Sequence, residues 1–137
     1  MANYYELIVS ARDAEALAAV LAKRITDPRE AEAADALADV LIGARLVAHE
    51  RMPADRVRMN SLVRYREEPD GARRSVRVVH PREANATEGR ISVLSPVGRA
   101  LLGRKPGAVV AACAPGGRDL NIRILDVDTP EEEEARA

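Results

Sequence analysis

Arg90-Ile-Ser-Val-Leu-Ser-Pro-Val-Gly-Arg-Ala-Leu-Leu-Gly-Arg-Lys-Pro-Gly107 encodes a strand, a capped turn, one short helix and a glycine stop. Ile91 to Leu94 is the strand. Ser95 has the side chain of an N-cap, and Pro96 falls at the first helical position, where its missing N–H costs nothing. Leu101 and Leu102, with Val97 one turn back, give the helix an apolar underside to seat on a sheet. Gly103 suits the left-handed residue that ends it.

Working outward, Val57–Arg66, Ser75–His80, Val109–Cys113 and Leu120–Val127 are short and rich in β-branched residues. Leu120, Ile122 and Ile124 alternate with Asn121 and Arg123. Residues 67–71 and 115–119 read as hairpin turns. Upstream, Leu17, Val20 and Leu21 fall on one helical face within residues 13–24. Ala33, Leu37, Val40, Leu41, Ala44 and Val47 fall on another within 30–48. Pro28 stops the first helix and starts the second, with Asp27 as its N-cap. The fold class is therefore α+β. Residues 1–51 form a short antiparallel helical hairpin, 52–130 a mostly antiparallel sheet domain with one short helix, and 131–137 an acidic, disordered tail.

With no Phe, no Trp and three Tyr, aliphatic side chains must supply nearly all the buried surface. The net charge of −1 conceals an asymmetry: residues 51–82 hold 9 basic and 4 acidic side chains, between acidic ends. A basic middle of this kind suits a polar protein partner, or more weakly a nucleic acid. Arg58, Arg64, Arg66 and Arg77 are the expected basic sheet face. Cys113 is the lone cysteine, placed by alternation in the core, and precludes an internal disulfide. No apolar run approaches a membrane span, and a cytoplasmic protein without membrane contact is expected.

The Arg90–Gly107 string resembles the signature of the bacterial Gre-type transcript-cleavage factors and their short Rnk-type relatives. Met59-Asn60-Ser61 at the head of one strand and Val78-Val79-His80-Pro81 at the end of the next line up in the same order. The resemblance implies an FKBP-like C-terminal domain that docks on the rim of the RNA polymerase secondary channel. Ser95, Pro96, Val97, Gly98 and Arg99 become docking candidates, although the same residues also cap and seat a helix. The cleavage factors hold magnesium with two acidic residues at the tip of a long hairpin. Here the tip offers Asp27 and Glu30 with Arg29 between them. The first arm, at 1.5 Å per residue, reaches only about 18–23 Å. The expectation is a non-enzymatic Rnk-type regulator that binds RNA polymerase and competes with cleavage factors, without a cofactor or resident metal. Magnesium-assisted transcript cleavage and RNA binding stand as alternatives.

Other chemistry finds little purchase. Gly98 to Lys105 lacks the Lys-Ser/Thr ending of a phosphate-binding loop. His49 and His80 are too few and too distant for a metal site or a triad. An isomerase pocket would need the aromatic rings that this composition lacks. Among the arginines only Tyr65 could stack on a base, so direct RNA contact is not expected.

Overall fold

The structure, a computed structural model, describes residues 7–68, 71–113, 118–130 and 133. Five strands form the main sheet: β3 (Leu62–Glu68), β4 (Arg73–Val79), β5 (Arg90–Ser92), β6 (Val109–Cys113) and β7 (Asp119–Asp128). Their spatial order is β5-β4-β3-β7-β6. All neighbours are antiparallel except β4 and β5, which run parallel. The register of β3 against β7 shifts between Arg64 and Tyr65, leaving Leu125 as the extra residue of a bulge. Of the expected turns, residues 69–70 and 114–117 lie outside the described residues.

One face of the sheet buries Val63, Tyr65, Val78, Ile122 and Ile124, as the alternation predicts. Two helices and the short helix α3 (Pro96–Leu101) close over it. Leu17 of α1 (Ala11–Leu21), Leu37 of α2 (Pro28–Gly43), and Leu101 and Leu102 join the sheet residues in a single cluster. Arms and sheet therefore share one core.

Each helix starts where side-chain chemistry sets it. The Ser10 hydroxyl accepts from the Asp13 amide at 3.0 Å, and an Asp27 carboxylate oxygen accepts from the Arg29 amide at 2.9 Å ahead of Pro28. Helix α2 stops at Gly43, short of the expected 48. The Arg45 N–H donates to the Leu7 carbonyl at 2.7 Å, and β2 (Arg45–Val47) pairs in parallel with β1 (Ile8–Ser10). This two-stranded element, unanticipated from sequence, returns the chain to the place where α1 began. Val47 leaves the helical face for this reason, and the buried alanine of α2 is Ala34.

Cys113 is exposed near the end of an edge strand, and the expectation that it belongs to the core is corrected. Within the acidic stretch 131–137 only Glu133 is described. Its carboxylate accepts from both terminal nitrogens of Arg77, at 2.6 and 2.7 Å. No helix among the described residues is long and apolar enough to cross a membrane.

Candidate functional site

The turn from Ser92 to Gly98 is held by a set of hydrogen bonds of its own. The Ser92 carbonyl accepts from the Ser95 amide at 3.0 Å and from the Ser95 hydroxyl at 2.6 Å. The same hydroxyl accepts from the Gly98 amide at 3.1 Å, satisfying an otherwise orphan donor at the start of α3. A Cβ on Gly98 would stand 2.2 Å from the Ser92 oxygen, so the helix closes on the turn only because residue 98 has no side chain. The Arg99 guanidinium donates back to the Leu94 carbonyl. Pro96 is exposed, whereas Ser95, Val97 and Arg99 are half-buried and Gly98 is buried.

Gly103, in the left-handed conformation at φ 80°, joins this turn to the rest of the molecule. Its carbonyl accepts from the Ile8 amide at 3.3 Å and from Arg56 at 3.0 Å, and its amide donates to the Val57 carbonyl at 2.9 Å. Between α2, α3 and β6 opens a cleft of about 290 Å³, lined among others by Val40, Pro96, Arg99, Ala100 and Arg104. Burial, and then the charge of Arg56, pushes the Arg104 guanidinium below its ordinary pKa. The cleft is thus apolar with a cationic rim. Arg104 was not singled out in the sequence, where it reads as one of two cations after a helix stop.

At the connection between α1 and α2, Asp27, Arg29 and Glu30 are all exposed. Asp27 is committed to capping α2, and Glu30 lies in the first turn, where the helix dipole favours it. Among the described residues no three His, Cys, Asp or Glu side chains gather into a metal-binding group.

The basic face needs one correction. Arg58 is buried at 8% exposure in the loop before β3, not on the sheet, because its amide donates to the Ser61 hydroxyl at 2.8 Å and turns the chain inward. Nearby, Asp13 reaches across from α1 and accepts from the Met59 amide at 3.0 Å. Burial raises the Asp13 pKa, and the Met59 N–H and the Arg58 charge oppose that rise. The role of Asp13 was hidden in the sequence, 46 residues from its partner.

Arg64, Arg66 and Arg77 do lie on the solvent face of the sheet, and each meets a carboxylate. Arg64 contacts Asp126 at 2.5 Å and Asp128 at 3.2 Å. Arg66 contacts Glu68 at 3.2 Å, and Arg77 contacts Glu133. Arg74, on the opposite face, pairs with the buried Glu67. The acids that meet Arg64 come from β7, more than 60 residues away in sequence, so this pairing was not legible.

A five-stranded sheet carrying a proline-started, glycine-stopped helix, with two helices rooted beside it, defines a class. Residues 52–129 match the family described as transcription elongation factor GreA/GreB, C-terminal, and the chain belongs to that family. Over 95 residues it is 37% identical to the regulator of nucleoside diphosphate kinase of Escherichia coli K12, covering 69% of this chain and 70% of that protein. It is 33% identical to the transcription elongation factor GreA of Amoebophilus asiaticus over 115 residues, covering 84% of this chain and 70% of that one. Among solved structures, the prokaryotic transcription elongation factor GreA/GreB from Nitrosomonas europaea matches with a TM-score of 0.72 at 34% identity. That match covers 90% of this chain and 98% of the other. The chain is a regulator related to transcription elongation factors, and it is similar to the Rnk type.

Proposed function

We propose that this protein binds RNA polymerase at the secondary-channel rim and regulates transcription without cleaving transcripts. Residues 52–130 act as the FKBP-like anchor, without isomerase activity. Residues 1–51 are a short antiparallel arm, and 131–137 are an acidic tail. Ser95 to Arg99 is the docking stretch, with Pro96 presented to the partner and the Arg99–Arg104 cleft beside it. The intact Ser92–Gly103 turn, inside the stretch that matches the GreA/GreB C-terminal family, carries this reading.

The short arm supports the absence of cleavage. Helix α1 has 11 residues, about 16 Å at 1.5 Å per residue. On this reading the protein occupies a site that cleavage factors also use, and it acts by competition in the cytoplasm.

The test is capture of purified RNA polymerase core by the full chain, with and without excess cleavage factor. Binding that the cleavage factor displaces, and that Pro96→Asp reduces at least tenfold, is the expected result. Capture that excess cleavage factor leaves unchanged would overturn the shared site. The exposed Asp27 and Glu30 favour magnesium-assisted cleavage as the second reading. If it holds, stalled complexes shorten their transcripts with this protein, and Asp27→Ala with Glu30→Ala abolishes the effect.

A further inference from the structure

Three arginines stand in line across the solvent face of the sheet. Arg66 on β3 lies directly opposite Arg73 on β4 and directly opposite Arg123 on β7. Like charges in direct cross-strand register repel, and a sheet gains nothing from such an arrangement. Among the described residues one carboxylate serves the row: one oxygen of Glu68 lies 3.2 Å from Arg66 and 3.4 Å from Arg123. Arg73 is exposed. An open cleft of about 310 Å³ lies at the Arg73 end, lined also by Arg64, Ser75 and Asp126. Among the described residues the row has three positive charges and one negative one, with Asp126 and Asp128 further along the register of β3 and β7.

We infer that the Arg73–Arg66–Arg123 row is a binding site for an acidic peptide segment of a partner protein. The extent of the row decides the class. Three strands at about 4.8 Å spacing give a positive strip about 10 Å long. Asp126 and Asp128 bound it on one side. That length accommodates two or three carboxylates of one peptide. A phosphodiester backbone would run on over the flanking acids, and the described outward-facing positions of β3, β4 and β7 offer no aromatic ring for base stacking. The same face already holds a carboxylate in this manner, since Glu133 meets Arg77 with both oxygens. Arg77 shares the outward side of β4 with Arg73, four residues away. The inference goes beyond the polymerase-docking reading, because it uses a different surface and needs no polymerase to test.

The probes are a fluorescein-labelled octaglutamate peptide and a labelled single-stranded RNA of about 12 nucleotides, titrated with the full chain at low ionic strength. Octaglutamate should bind, and its Kd should rise steeply with added salt. Arg73→Ala and Arg123→Ala together should weaken it at least tenfold. Glu68→Gln should tighten it about threefold, since it removes the competing carboxylate and leaves the sheet intact; a merely misfolded variant would not bind better. RNA binding tighter than the peptide through the same arginines would overturn the inference in favour of a nucleic-acid surface. Absence of peptide binding, or a Kd unmoved by Glu68→Gln, would overturn it outright.

Discussion

At the scale of the residue, Gly98 leaves the least room for a Cβ among the described glycines. The atoms that a Cβ would meet are backbone, at 2.2 Å and 3.0 Å in Ser92, and they cannot rotate away. Gly98→Ala is expected to cost about 2–3 kcal/mol by overpacking, read as a lower denaturation midpoint. Gly43→Ala is the control. Nothing lies within 4 Å of its added methyl group, and alanine is the better helix former, so stability should rise by up to ~1 kcal/mol. Asp13 supplies a pH-dependent counterpart. Burial holds its folded pKa above that of an ordinary aspartate, so the folded state takes up a proton before the unfolded state does. Its contribution to stability therefore grows as pH falls through the folded pKa, and is lost as pH rises. Asp13→Asn retains an acceptor for the Met59 amide and does not titrate. As pH falls into the range where carboxylates protonate, the wild type should gain stability relative to that variant. A constant difference across the range would contradict the account.

At the scale of the element, local chemistry wrote most of what a reader of the sequence could find. Ser95, Pro96 and Gly103 mark both ends of α3 by themselves, and Asp27 with Pro28 marks the start of α2. Both caps occur as read. The alternation of Leu120, Ile122 and Ile124 correctly chose the buried face of β7. What escaped depends on partners distant in sequence. Strands β1 and β2 have three residues each, too few for a period to show. They exist because each completes the other. Arg58 looked like part of a strand face because Val57–Arg66 alternates, yet the Ser61 hydroxyl turns the loop before the strand begins. The acids that neutralise Arg64 come from β7, 62 and 64 residues on. Asp27 also separates two functions that share a residue. As a cap, its loss in Asp27→Ala should lower stability by about 1 kcal/mol by chemical denaturation. Polymerase capture should persist if the tip acids only shape the helix.

At the scale of the molecule, the helices and the sheet have one core between them. Leu37 of α2 is fully buried in the same cluster as Val63 and Ile122. Leu37→Ala should cost about 2–5 kcal/mol. The variant should still unfold in one transition, with calorimetric and van't Hoff enthalpies equal. Two separated transitions would show that the arm melts independently. The charge layout belongs to this scale as well. Acids from β7 and Glu133 pair with Arg64 and Arg77, whereas the row through Arg66 has more cations than carboxylates among the described residues.

Gly103 ties these scales together. One peptide neighbourhood receives the first strand through Ile8, the loop through Arg56 and Val57, and the end of the presented helix. The base of the arm and the helix proposed for docking are thus bolted to one fulcrum. Rotating either against the other would break several backbone hydrogen bonds at once. The two helices thereby keep a fixed direction relative to the sheet. On the docking proposed above, the pose of the sheet domain also sets the direction of the connection between α1 and α2.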